Sequence, residues 1–399
     1  MSAIAQSSPA SLARDVDALF RRATDACDVP GVVAMAIAGD GTTLYEGAFG
    51  TRRLGVAAAM DVDTVGWIAS LTKPLTSVAA MQLVEQQRLQ LDEPAGRWVR
   101  ELAHVQVLEG FDASGTPRLR APRRPVTLRQ LLTHTAGYGY GAWSAPLARY
   151  MELMNLPGTA TCEHAALRLP LLFDPGERWN YGINIEWVGK IIEGASGMTL
   201  GAYLRENLFG PLGMDSSGFR ITPSMRKRLA RLHERDAHGV LVAGDYEVPQ
   251  SPEFELGGGG LYSTARDYVA FMRMILNRGV GNGTRILKME TVDLMCRNQI
   301  GDLRVERMVS TNAARSNDVE FFPGVPKSWG FGFMINHDLA PTGRSAGSLA
   351  WAGLSNCYFW IDPMRRIAGV YLTQILPFAD KKSLPLYLDF ETAVYRSAS

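Results

Sequence analysis

The 399-residue chain has no apolar run long enough to cross a bilayer. Its longest, GVVAMAIAG at residues 31–39, falls far short of the roughly 20 residues a spanning helix needs. The opening stretch, MSAIAQSSPASLARDVDALF, lacks both a basic start and a continuous apolar core. We therefore expect no signal peptide, no membrane anchor and a cytoplasmic location. An excess of one charge is also missing: 41 Lys and Arg stand against 40 Asp and Glu, a formal net charge of +1. That excludes the electrostatic footprint of a nucleic-acid or anionic-membrane binder. Cysteine is scarce. Cys27, Cys162, Cys296 and Cys357 lie far apart with no CxxC pair, which argues against a disulfide framework or zinc site and predicts reduced, buried thiols. The six histidines show no HExxH spacing, so no metal and no other cofactor is expected. The nucleophile elbow GxSxG is absent, although GASGM and GLSNC come near it. His134, in LLTHTAGYGYG, is a formal candidate for a triad base, but a histidine before a Thr-Ala-Gly turn reads more simply as structural.

What is present is an ordinary globular composition, 46% apolar and 20% charged, enough for one large domain or two smaller ones. Leu12, Val16, Leu19, Phe20 and Ala23 recur at helical spacing over residues 12–27. Two β-rich runs then flank Asp40-Gly41, a hairpin signal. A helix is predicted from about Ser70 to Arg88, and helical patterns with few strand signals follow. The tetraglycine of ELGGGGLYSTARDYVAFMRMIL precedes a capped helix. Three strand-like runs, SLAWAGL, NCYFWID and IAGVYLTQI, come near the C-terminus before a last helix. Strands at both ends predict one α/β (α+β) sheet domain from residues 1–88 and 255–399, interrupted by a mainly helical insertion at 89–254. No internal repeat or low-complexity tract is visible.

The stretch WIASLTKPLTS, residues 67–77, carries chemistry. Residues i and i+3 share a helix face, so Ser70 and Lys73 fall within reach of each other. Proline is tolerated only in a helix's first turn, so Pro74 sets the helix start beside Ser70, at the positive end of the helix dipole. A serine needs a neighbouring base to become a nucleophile. Lys73 either is that base or holds a second base in its reactive form. Spacing alone is a weak signal, since Ser224 and Lys227 repeat it. Lys227, however, sits among Arg226, Arg228 and Arg231 on a solvated basic face, whereas Ser70 lies between the apolar segments VGWIA and VAAMQLV.

Three further segments strengthen the motif: LLTHTAGYGY (131–140), FDPGERWNYGINIEWVGKIIEGASGMTLGAYLRENLFGPLGM (173–214) and GGGGLYSTARDYVAFM (257–272). With SxxK before them and WAG after, they run in the order of the serine β-lactamase and penicillin-recognising enzymes. Over nearly its whole length the chain resembles the class C branch, and within it the family VIII carboxylesterases. The resemblance implies a β-lactamase/transpeptidase-like fold, an antiparallel sheet flanked by helices with the site in a cleft beside the inserted segment. It also implies that Ser70 is acylated, that Lys73 is its partner and that Tyr181 is the general base. An ammonium beside the phenol favours the phenolate, so the pair shares one proton.

Two departures from the family pattern carry consequences. Where β-lactamases usually have Lys-Thr-Gly, this chain has Trp351, Ala352 and Gly353. The cation and hydroxyl that would hold a β-lactam carboxylate are gone, leaving an apolar slot. Gly353 keeps the backbone near the substrate, and the N–H of Leu354 joins that of Ser70 as the implied oxyanion hole. Two residues after Tyr181, where many β-lactamases have asparagine, stands Ile183, with Asn184 one step later. Tyr140 falls where related esterases carry an aromatic near the site, and Trp143, Trp179, Trp329 and Phe331 are further candidates for the cleft. The expected activity is hydrolysis of short-acyl or small aromatic esters through an acyl-enzyme, with a small-molecule ester as the partner. β-Lactamase, D-amino-acid peptidase or amidase, and acyltransferase activities are the alternatives within the family. A non-catalytic scaffold is the alternative outside it, disfavoured because a scaffold needs none of Ser70, Lys73 and Tyr181.

Overall fold

The computed structural model describes residues 9–398; part of the expectation for the N-terminal stretch falls on residues 1–8, outside the described residues. The predicted first helix is α1, Pro9–Asp25, and it buries Leu12, Val16 and Phe20. The hairpin signal gives β1, Gly31–Ala38, and β2, Thr43–Gly50. From the far end of the chain come β3 (Lys327–Trp329), β4 (Met334–Asn336), β5 (Leu349–Gly353), β6 (Cys357–Asp362) and β7 (Ile367–Leu372). These seven strands form one antiparallel sheet in the order β3-β4-β5-β6-β7-β1-β2.

Both faces of this sheet are covered, which is why β6 and β7 read as unbroken apolar runs without polar alternation. Side chains still alternate by face. Tyr358 stacks on Tyr387, ring centroids 4.6 Å apart, and Trp360 packs on Phe390 at 5.5 Å; both partners lie on the C-terminal helix Ser383–Ser397. Phe20 of α1 meets that same Phe390 at 5.7 Å, so the two terminal helices share one face. Phe359, between those two strand residues, instead meets Tyr268 on the opposite face at 5.3 Å, on the helix Ala265–Leu276 that follows the tetraglycine.

The Ser70 segment gives a helix α2, Thr72–Glu85, preceded by a single 3₁₀ turn at Ala69–Leu71; the predicted end at Arg88 is three residues too far. Packed against α2 is α3, Asn184–Ser196, which follows Tyr181 directly. Residues 89–254 carry short helices and also two hairpins, Val107–Phe111 with Pro117–Arg120 and His233–Arg235 with Leu241–Ala243. Strands of three to five residues with one open face leave little hydropathy signal, which is why they are hard to read from sequence. All four cysteines are unpaired; Cys162 and Cys357 are buried, Cys296 is half-buried, and Cys27 is exposed, against expectation, in the turn that follows α1, where its φ is 54°. No helix among the described residues is long and apolar enough to cross a membrane.

Asp174 ties the first of these hairpins to the loop that leads into Tyr181. Its carboxylate takes two bonds from the Arg120 guanidinium, 2.9 and 2.8 Å, and one from the backbone N–H of Arg123 at 2.8 Å. These donors, Arg120 foremost, hold the acid at about 2, below the ordinary 3.8. A lowered carboxyl stabilises the fold above its unfolded value, and that contribution is lost as pH falls from 3.8 toward 2. Asp174→Asn should therefore lower the thermal midpoint at neutral pH, with the gap to wild type closing across that window. Circular-dichroism melts over a pH series check this, and a gap that stays constant down to the acid end would contradict it.

Candidate active site

The strand pair Gly66–Trp67 and Tyr262–Ser263 delivers the chain to the turn that presents Ser70. Ala69 there adopts φ 44°, a left-handed conformation that strains a residue with a Cβ. Ser70 is half-buried and Lys73 fully buried; Pro74 is the third residue of α2, inside its first turn as the spacing required. Gly353 closes β5 directly against this turn. A Cβ on it would run into the carbonyl oxygen of Ile68, so only glycine lets the strand come this near. Among the described residues the backbone N–H groups of Ser70 and Leu354 donate to nothing else, and both residues line one cavity of about 420 Å³.

Lys73 Nζ donates to Ser70 Oγ at 3.0 Å, to the carbonyl of Gly258 at 2.6 Å and to the hydroxyl of Tyr140 at 3.3 Å. It also sits over the ring of Tyr181, 4.7 Å from the centroid. Lys73 and the phenol oxygen of Tyr181 are not hydrogen-bonded to each other in this structure. That oxygen instead accepts from the indole N–H of Trp351 at 3.1 Å, and the two rings lie 4.9 Å apart. Trp351 and Ala352, expected on the substrate wall, are buried behind it at 4% and 3% exposure. Trp351 is held there by Trp329, edge-on at 4.6 Å. Both departures have one cause: the indole that replaced the strand cation is large enough to reach Tyr181 and pin it.

Tyr140 is more central than the sequence suggested. It receives Lys73 and donates to Glu186 Oε1 at 2.7 Å. Burial first, then the neighbouring Glu186 and Tyr181, push its hydroxyl well above the usual phenol range, so it stays protonated and serves as a donor. Glu186, on the first turn of α3, is 1% exposed, and its second oxygen has no hydrogen-bond partner among the described residues. Gly258 packs against that oxygen, where a Cβ would collide with it. Burial raises the Glu186 carboxyl, and the Lys73 charge only partly offsets this.

No sequence signal pointed to Glu186, Trp67 or Arg315, all of which line the cavity with Tyr140, Trp143 and Tyr181. Of the other aromatic candidates, Trp329 and Phe331 are entirely within the core, and Trp179 stacks behind Tyr181. His134 is buried, its Nδ1 bonded to the amide of Asn184 at 2.9 Å. Burial, and less so the Lys73 charge, hold it well below the ordinary imidazole range, a structural role. Asn184 is thereby turned away from the cavity. No group of three or more His, Cys, Asp or Glu among the described residues is placed to hold a metal.

A helix-flanked antiparallel sheet that presents a serine at the start of a buried helix, with a lysine one turn on, defines the serine β-lactamase and transpeptidase class of fold. The chain belongs to the β-lactamase family, whose profile matches residues 16–393. It is similar to monacolin J acid methylbutanoyltransferase of Aspergillus terreus, 33% identical over 396 residues covering 95% of each chain. It is also similar to lovastatin esterase of Penicillium rubens, 30% identical over 405 residues covering 96% of this chain and 98% of the relative. The unliganded, selenomethionyl simvastatin synthase from Aspergillus terreus superposes with a TM-score of 0.84 at 31% identity over 98% of both chains. The chain is thus a serine hydrolase or acyltransferase of this family.

The Tyr140–Glu186 link makes two predictions. Tyr140→Phe removes one partner of a buried charge and should lower kcat by about ten- to a hundredfold, the scale of one hydrogen bond to a charged group. Glu186→Gln keeps an acceptor for Tyr140 but abolishes the titration. Because the folded carboxyl is raised, its contribution to stability is full below the unfolded value and lost as pH rises through the folded one. The stability of Glu186→Gln relative to wild type should therefore improve as pH rises from acid to neutral. Melting curves that run parallel across that range would rule this out.

Proposed function

We propose that this protein is an acyltransferase: Ser70 takes a short acyl group from an ester or thioester and passes it to the hydroxyl of a second small molecule, with water as a competing acceptor. The observation that carries the reading is the Ser70–Lys73 pair, 3.0 Å apart, opening into a cavity walled largely by aromatic and small apolar side chains. The relative named methylbutanoyltransferase, similar over nearly the whole chain, supports transfer to an alcohol above the hydrolysis expected from sequence.

In this reading Ser70 Oγ attacks the acyl carbonyl while its proton passes into the Lys73–Tyr181 pair. The leaving alcohol or thiol takes up that proton as its bond to the carbonyl carbon breaks. The acceptor hydroxyl then attacks the acyl-enzyme, giving its proton to the same pair, and the new ester leaves as Ser70 is reprotonated. The N–H groups of Ser70 and Leu354 hold the oxyanion in both steps. Trp351 supports charge on the Tyr181 oxygen through its indole N–H. Hydrolysis is the second reading, favoured by the similarity to a lovastatin esterase.

With p-nitrophenyl butyrate as donor and benzyl alcohol as acceptor, p-nitrophenol release should accelerate with acceptor concentration and benzyl butyrate should outweigh butyrate. Ser70→Ala should lose about a thousandfold or more of the rate. If butyrate is the sole product at every acceptor concentration, the enzyme is an esterase; if Ser70→Ala retains the activity, the assigned nucleophile is wrong.

A further inference from the structure

One acid, Glu186, and one guanidinium, Arg315, stand among the residues that line the Ser70 cavity, and they differ in how they are satisfied. Glu186 is buried and bonded to Tyr140. Arg315 is half-buried, and its guanidinium forms no ion pair and no hydrogen bond with any described residue. Its neighbours in the same loop are already committed: Asp318 is held by Arg307 at 2.7 Å and by the N–H of Ser310 at 2.8 Å.

The backbone of Arg315 is nevertheless fixed. Its N–H donates to the carbonyl of Asn312 at 3.0 Å, and its carbonyl accepts from the N–H of Phe378 at 2.9 Å. The guanidinium lies 5.9 Å from the ring centre of Tyr246, which packs on Trp67 at 5.4 Å. Trp67 is itself a wall of the cavity, anchored by its indole N–H on the carbonyl of Gly259 at 2.7 Å. The hydroxyl of Tyr246 is buried without a hydrogen-bond partner among the described residues. A cation carried on an anchored backbone, with its guanidinium donors unused among the described residues and an aromatic ring beside it, is arranged for a partner that arrives with the ligand.

We propose that Arg315 is the anchor for a carboxylate on the acyl acceptor. The planar guanidinium offers paired N–H donors whose spacing matches the two oxygens of a carboxylate. Its neighbours on the wall, Thr311 and Asn312, are exposed, which puts Arg315 at the rim of the cavity rather than at Ser70. The acyl group is held at Ser70, so the rim addresses the second substrate as it enters. The sequence departure at Trp351 had removed the strand cation that holds a carboxylate; here a cation on a different segment takes over that chemistry from another direction. The inference deepens, and rests on, the acyl-transfer reading.

The test uses the full-length protein with p-nitrophenyl butyrate as donor and two matched acceptors, 4-(hydroxymethyl)cyclohexanecarboxylate and its primary amide. Wild type should prefer the acid by about tenfold or more in kcat/KM, the discrimination expected of a paired charge. In Arg315→Gln that acid-to-amide ratio should fall about tenfold, mostly through KM, while Arg315→Lys keeps part of it. The ratio is taken within one variant, so a general loss of folding or rate cancels. Binding of the same two molecules to Ser70→Ala, with and without Arg315→Gln, is followed by tryptophan fluorescence and needs no turnover. Equal binding of acid and amide, or an unchanged ratio in Arg315→Gln, overturns the anchor. Arg315-dependent binding of the acid with no transfer in wild type overturns acyl transfer and leaves the anchor standing.

Discussion

The site is organised around an ammonium that has been taken out of water. Lys73 has no solvent exposure, and desolvating a charge costs several kcal/mol unless hydrogen bonds and opposite charge replace the water. Each replacement comes from a distant part of the chain. The tetraglycine supplies the carbonyl of Gly258, the loop before the helix Ala145–Leu153 supplies the hydroxyl of Tyr140, and α3 supplies Glu186, which accepts from that hydroxyl. The aromatic faces of Tyr181 and Tyr140, 4.7 and 5.4 Å from the nitrogen, add a weaker attraction. Satisfying Lys73 thus fixes four segments relative to one another, and Ser70 is held by the same nitrogen.

Close approach of backbone is the second constraint, and it follows from the first. Gly258 must leave room for Glu186, and Gly353 must let the end of β5 touch the turn that carries Ser70. The strained φ of Ala69 belongs to this arrangement. A strain of this kind costs of order 1–3 kcal/mol and persists only where surrounding packing dictates it. Here the dictating groups are Ile68, whose N–H is tied to Leu261 at 3.0 Å, and Thr72, whose hydroxyl bonds the carbonyl of Ala69 at 2.6 Å. The result is a serine whose N–H, like that of Leu354, donates to no described residue, with both residues lining one cavity.

Local features of this design are legible in sequence, and long-range ones are not. Ser70, Lys73 and Pro74 are close enough in the chain for helical spacing to relate them, and Asp40-Gly41 marks its hairpin by turn chemistry alone. The terminal strands were visible because burial on both faces makes them continuous apolar runs. Glu186 is different: in NIEWVGK it looks like any acid on the first turn of a helix, and only folding brings it to Tyr140, 46 residues away. Arg315 has even less signal, one arginine in a polar loop. Trp351 lies on β5, where the strand-like run had put it, with its ring buried and its indole N–H on Tyr181. Side-chain alternation fixes which face of a sheet a residue takes, not whether a large ring lines a cavity or braces the residue that does.

That bracing role bears on how one fold divides between β-lactam and ester chemistry. A lysine on β5 would direct charge toward the substrate carboxylate; an indole there directs a single N–H at Tyr181 and buries the rest of its surface against Trp329 and Phe321. Where the family's lysine would meet a substrate, this chain has an indole that braces Tyr181, the base in the proposed mechanism. The exchange also removes a charge that would have stood near Lys73 and raised the cost of keeping that ammonium buried. The proposal at Arg315 moves recognition outward, to a half-buried cation beside the exposed Thr311 and Asn312. On that proposal specificity belongs to the loop at residues 310–316, whose Thr311, Asn312 and Arg315 line the cavity, while the chemistry belongs to the turn at Ser70.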